Sequence, residues 1–168
     1  LAVIDLIAAK VRFAKAYNLH CPRINEDGKM KVRAARHPLL VRLQNERHTA
    51  GEESEDVVPI DYRLGDDFDM LVITGPNTGG KTVTLKTLGL INLMVQSGLP
   101  VPVEEGSELA IFNDVLIDIG DEQSMQQSLS TFSAHLKRLL DMLRKASSRT
   151  LVLIDELGAG TDPDEGAA

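Results

Sequence analysis

Residues 70–82 read Met-Leu-Val-Ile-Thr-Gly-Pro-Asn-Thr-Gly-Gly-Lys-Thr, an apolar run of strand length followed by a glycine-rich turn ending in Lys-Thr. From Gly75 to Thr82 the turn matches G-x-x-x-x-G-K-[ST] in full, with Pro76, Asn77, Thr78 and Gly79 in the open positions. The residue types follow from the chemistry of holding a phosphate chain. Gly75, Gly79 and Gly80 let backbone N–H groups turn inward where a β-carbon would obstruct the approach. The helix expected next adds the positive end of its dipole. Lys81 has the reach for β- and γ-phosphates, and the Thr82 hydroxyl suits Mg²⁺. A glycine-rich strand-to-helix turn without ligand is the plainer alternative, but the full match in its strand-then-helix context favours a nucleotide.

Downstream of this loop the chain alternates strand and helix. Gly80 through Ser97 reads as a helix stopped by Gly98 and Pro100, and residues 109–120, LAIFNDVLIDIG, as one buried strand. Residues 125–146 form an amphipathic helix with Leu129, Phe132, Leu136, Leu139, Leu140 and Leu143 on one stripe. TLVLIDE at 150–156 is a continuous apolar run, as expected for a central parallel strand buried on both faces. Such alternation predicts an α/β domain with a mainly parallel sheet flanked by helices.

Upstream, residues 1–17 carry Ile4, Ile7, Ala8 and Val11 at helical spacing and predict an amphipathic helix. Residues 22–29 are turn-rich. MKVRAA at 30–35 and HPLLVRL at 37–43 read as extended segments broken at His37-Pro38, because a residue before proline is pushed toward β. Residues 44–56 are polar and charged and read as a flexible, solvated loop. VVPIDYRL at 57–64 and FDMLVIT at 68–74 look like two strands joined by LGDD.

The 168 residues are 43% hydrophobic, with 18 basic against 25 acidic side chains and a formal net charge of −7, enough for a domain-sized core without staples. A single cysteine, Cys21, excludes an internal disulfide and suits a reducing, cytoplasmic setting. No apolar run approaches the roughly 20 residues that span a bilayer, so no membrane partner is expected. The acidic balance argues against a basic nucleic-acid-binding face within this segment.

A loop of this kind calls for a carboxylate at the end of another buried strand, and Asp155 after LVLI supplies it as a second ligand for Mg²⁺. Glu156 follows directly and is placed to polarise an attacking water, although a strand-end carboxylate with no catalytic role is the bland alternative. The adjacent Asp-Glu is characteristic of ABC-type ATPases. Their usual helical insertion and LSGGQ stretch are not evident between Thr82 and Asp155. That interval holds Ser130 and Thr131 near the start of the long helix. Hydroxyls and free N–H groups there suit a γ-phosphate presented by a second subunit. Taken alone, they are better read as helix capping and surface polarity, which Ser and Thr commonly provide.

GPNTGGKT at 75–82, SLSTFS at 128–133 and LVLIDELGAGTDPDEG at 151–166, in this order and spacing, resemble the ATPase domain of the MutS family. The resemblance is nearest to its bacterial type-two branch, linked to recombination suppression and to ribosome-collision rescue more than to mismatch repair. ARHPLL at 35–40 and VVPIDYRLG at 57–65 also resemble that branch, whereas mismatch-repair members usually carry Arg where Leu129 stands. The resemblance implies a P-loop ATPase domain of ABC type from residue 21 to 168, preceded over 1–20 by the end of a helical core or lever region. It also implies a chain that stops after the Asp-Glu strand, before the switch histidine of such sites.

The same resemblance implies a composite site in a homodimer. Gly75 to Thr82 and Asp155-Glu156 of one subunit would face Ser130 and Thr131 of the other across a bound ATP. Gly158 to Asp162 would connect the two sites, and Val57, Val58 and Pro59 would flank the adenine. His37 is similar to a family-constant structural position, while His20, His48 and His135 read as ordinary surface or helix residues. The implied activity is hydrolysis of ATP to ADP and phosphate, with Lys81 and Glu156 as catalytic groups. It would drive a DNA- or ribosome-engaging protein whose clamp and nuclease module lie outside this segment. A nucleotide-binding dimerisation module without turnover, or another ABC-type ATPase, remains the alternative.

Overall fold

The structure is a computed structural model that describes residues 1–76, 79–119 and 128–155. It divides into two compact units, Leu1–Ile111 and the remainder from Phe112 onward. The fold is mixed α/β.

The first unit is built on a four-stranded sheet in the order β1-β4-β2-β3, with β1 Arg23–Asn25, β2 Met30–Ala35, β3 Ile60–Leu64 and β4 Glu108–Ala110. β1 and β4 run parallel, while β2 is antiparallel to both β3 and β4. The sheet is therefore mixed, not mainly parallel as the alternation suggested. Residues 70–74, expected as a strand, pair with none among the described residues, and Met70 and Val72 are exposed. An apolar run satisfies strand propensity, but a strand exists only where a neighbour completes its hydrogen bonds.

The β2–β3 register slips between Val32 and Ala35, where Ala34 takes φ 45°. A left-handed alanine costs roughly 1 kcal/mol, offset here because its N–H donates to Asp61 Oδ1 at 2.7 Å. Inside the sheet Met30, Val32, Ala35, Tyr62, Leu109 and Ala110 are buried. Burial also pushes the Tyr62 phenol well above its ordinary pKa, so it stays neutral.

Three helices accompany this sheet. Ala2–Tyr17 forms α1 as expected, ended by Asn18 in the left-handed conformation, and none of its residues is buried. Pro38–Thr49 forms α2, where extended chain and a solvated loop were expected. The pre-proline constraint does hold for His37, at φ −66° and ψ 118°, but that residue is the N-cap and not a break within a strand. Pro38 then occupies the first turn, where its missing N–H costs nothing, and Arg47 and His48 sit in the last turn. Lys81–Gln96 forms α3, burying Leu88, Ile91, Asn92 and Val95 at helical spacing. The Asn92 amide donates to the Ala110 carbonyl at 3.3 Å, joining α3 to β4.

The expected single strand over 109–120 is two. β4 closes the first unit, with Ile111 N–H on the Asn25 carbonyl at 3.0 Å, and β5, Asp114–Asp118, opens the second. There β5 pairs in parallel with β6, Thr150–Ile154, through the crossover helix α4, Ser128–Lys145. β6 buries Leu151 and Leu153 but leaves Val152 37% exposed. The expected burial on both faces is thus replaced by alternation, β5 being its one partner strand among the described residues. No described helix is long and apolar enough to cross a membrane.

Gly65 takes φ +84° after β3, and a β-carbon there would collide with the Gly28 backbone carbonyl. Gly65→Ala is expected to destabilise the chain by at least about 2 kcal/mol in a denaturant titration. Burial, and then the charge of Lys86, lower the pKa of His37 from its ordinary 6.5. The unfolded chain therefore takes up this proton first on acidification. The stability that His37 contributes is present above 6.5 and is lost as pH falls from there toward the folded value. A thermal midpoint that drops less between about pH 7.5 and about pH 5.5 in His37→Gln than in the parent would verify this.

Candidate functional site

Gly75, at φ 144°, and Gly80, at φ 77°, bracket the glycine-rich loop. Among the described residues, no heavy atom beyond the chain neighbours lies within 4 Å of where their β-carbons would stand, so it is backbone conformation that favours glycine. Gly79 N–H closes a turn on the Pro76 carbonyl at 2.9 Å. Gly80 is the N-cap of α3 and offers no side-chain cap, so the positive end of the helix faces the loop unshielded by a side chain. Lys81 Nζ donates to the Gly75 carbonyl at 2.6 Å, folding the ammonium back across the loop it starts from. Thr82 follows in the first turn of α3. Asn77 and Thr78 lie outside the described residues.

The start of α3 is one wall of a cavity of about 770 Å³. Gly79, Gly80, Val83 and Thr84 line it on that side, and Val57 and Val58 on another, so the two valines and the loop glycines share one space. Pro59 is not among its lining residues. The wall that the residue pattern did not reveal is α2 with its N-cap His37, α2 itself contributing Leu40, Leu43, Gln44 and Arg47. Reading 37–43 as extended hid it; the signal was Pro38 at the head of a segment ending in Arg47-His48. His37 Nδ1 is buried there with no hydrogen-bond partner among the described residues.

The second unit holds the other sequence-selected groups. Asp155 follows β6 with 9% exposure, its N–H on the Asp118 carbonyl at 2.9 Å. Ser130 and Thr131 stand in the first turn of α4. Glu156 and Gly158 to Asp162 lie outside the described residues.

One group escaped the sequence reading. Asp118, at the end of the apolar run VLI, is buried, and His135 Nδ1 lies 2.8 Å from its Oδ2 while Arg138 Nε donates to its Oδ1 at 3.1 Å. An acid closing an apolar run was the cue used for Asp155, and it applied equally here. His135 is consequently not an ordinary helix residue but a half-buried partner of that carboxylate. His20 is also engaged, its Nδ1 2.7 Å from the Val103 carbonyl. Among the described residues no three His, Cys, Asp or Glu gather as a metal site.

Residues 71–168, more than half of the chain, match the family model described as MutS domain V. The chain is 54% identical over 165 residues to endonuclease MutS2 of Clostridium botulinum (strain ATCC 19397 / Type A), covering 98% of this chain and 19% of that protein. It is 51% identical over 168 residues to endonuclease MutS2 of Ruminiclostridium cellulolyticum and 52% identical over 168 to that of Caldicellulosiruptor bescii, in each case covering 100% of this chain and 20% of the relative. The chain thus spans about a fifth of the length of the curated relatives it matches. With the family model covering more than half of the chain and this identity running along its whole length, the chain belongs to the MutS family, in the branch represented by the MutS2 proteins.

Proposed function

We propose that the chain carries the ATP-binding and ATP-hydrolysing part of a MutS-type P-loop ATPase domain. Turnover would take place in a dimer of the full-length protein. The observation that carries this reading is the loop itself. Left-handed glycines, an α3 N-terminus without a side-chain cap and the ammonium of Lys81 converge where the cavity shared with Val57 and Val58 begins. On binding, Lys81 would exchange the Gly75 carbonyl for phosphate oxygens while loop N–H groups turn to the same anion. The purine would enter the cavity, packed by Val57 and Val58 with α2 behind it; Pro59 would act only through the backbone course it sets.

Thr82 and Asp155 offer the hard oxygen donors that magnesium takes, and so few protein ligands suit an ion that keeps water and phosphate oxygens. Bound there, magnesium would neutralise charge on the phosphate chain. Glu156 would accept a proton from the water that attacks the γ-phosphorus as the bond to the bridging oxygen breaks, releasing ADP and phosphate. Ser130 and Thr131 of the second subunit would hold the transferring group from the opposite side. The relatives' name supports an endonuclease module elsewhere in the same polypeptide, and the ATPase cycle would switch its engagement of DNA or of the ribosome.

Lys81→Ala is expected to weaken binding of a fluorescent ATP analogue at least about tenfold, since it deletes a charge-assisted hydrogen bond to phosphate. Unchanged affinity would remove the basis for the phosphate-loop assignment. In the full-length protein, Glu156→Gln is expected to keep nucleotide binding and lower kcat by about a hundredfold or more, measured as phosphate release. Turnover at the parental rate would leave ATP as dimerisation glue.

A further inference from the structure

Among the described residues, the side-chain contacts to the carboxylate of Asp118 come from α4. Arg138 Nε donates to its Oδ1 at 3.1 Å, and His135 Nδ1, three positions earlier on the same helix face, lies 2.8 Å from Oδ2 without the alignment of a hydrogen bond. A carboxylate whose side chain is only 8% exposed is strongly unfavourable unless paired, so the hydrogen bond from Arg138 is costly to lose. Of its apolar side chains, Leu136, Leu140 and Leu143 remain 45%, 46% and 73% exposed. The contacts to Asp118 are thus a polar constraint on rotation of α4 about its axis and on sliding along it. His135 Nε2 is buried with no hydrogen-bond partner among the described residues, so the ring's polar contact is its Nδ1 face toward Asp118. The main chain of Asp118 is equally committed: its carbonyl accepts the N–H of Asp155. One residue therefore joins the backbone of the carboxylate assigned to magnesium to the helix whose first turn contains Ser130 and Thr131.

We propose that Asp118 is a positioning residue: through His135 and Arg138 it sets the register of α4, and with it the presentation of Ser130 and Thr131 to the nucleotide of a second copy. This rests on the composite-site reading given above. Breaking the grip leaves each subunit able to bind nucleotide in its own loop but misplaces the groups it lends across the dimer.

The experiment uses the full-length protein with steady-state ATP turnover, titration of a fluorescent ATP analogue and thermal unfolding. Asp118→Asn is expected to lower kcat about tenfold and to change analogue affinity by less than about twofold. Arg138→Gln, at a side chain 59% exposed and so without risk to the core, is expected to lower kcat about threefold with the thermal midpoint retained. The double variant should be no slower than Asp118→Asn, because both changes break one grip. Asp118→Glu should recover part of the loss. Ser130→Ala separates the two layers. If it lowers kcat while Asp118→Asn and Arg138→Gln do not, the composite site stands and the positioning role is overturned. If it leaves kcat unchanged, the composite-site reading falls and the positioning role falls with it. Parallel losses of kcat, nucleotide affinity and thermal stability in Arg138→Gln would reduce Asp118 to a structural contact and overturn the proposal.

Discussion

Asn92 is fully buried in the middle of α3, and its amide reaches the Ala110 carbonyl of β4. Its Nδ2 finds a partner there while Oδ1 has none among the described residues, so losing this bond would leave the whole buried amide unpaired and other axial positions of the helix are disfavoured. Ile91 beside it supplies the non-directional part of the contact. Because an α-helix is stiff over four turns, fixing its middle fixes its end. Gly80 and Lys81, which begin that helix, inherit their place from an asparagine some eleven residues away. β4 is in turn held on one edge by β1 and on the other by β2, so the loop is referred back to the whole sheet.

The elements legible from sequence were those whose cues are local. α1, α3 and α4 carry apolar residues at helical spacing, β2 and β3 alternate apolar with charged residues, and β6 carries a short apolar run, all independent of what packs on them. The failures share a physical cause. Residues 37–43 are apolar and contain a proline, a pattern that suits an extended segment and the first turn of a helix equally. The choice was made by Pro38 sitting where no N–H is needed. The runs at 70–74 and 109–120 satisfied strand propensity, but pairing is a tertiary property: the first has no strand partner among the described residues, and the second is shared between two sheets. For the site the division is similar. Gly75, Gly80 and Lys81 announced themselves because a phosphate cradle is a contiguous motif. The contribution of α2 to the cavity, and of His135 to Asp118, arises from residues far apart in the chain that no spacing rule connects.

The two units carry different parts of the proposed chemistry. Residues that would bind one nucleotide, the glycine-rich loop with Val57 and Val58, belong to the first unit; Asp155, Ser130 and Thr131 belong to the second. Electrostatics follows the same local logic. A net charge of −7 describes the chain as a whole, yet the groups drawn to a phosphate are an ammonium, a helix end and backbone N–H dipoles, whose fields act over a few ångströms. Overall acidity and anion recognition are therefore compatible in one chain.

The bond from Lys81 to the Gly75 carbonyl has a thermodynamic meaning beyond its geometry. Through this bond the ammonium is partly solvated by the loop's own main chain. Capturing a phosphate is then an exchange of one charge-assisted acceptor for another, and the affinity measures their difference. A neutral carbonyl is a weaker acceptor for an ammonium than a charged phosphate oxygen. What the lysine gives up is the same for every nucleotide, so this bond lowers affinity for all of them alike and leaves the preference among them to the phosphates themselves.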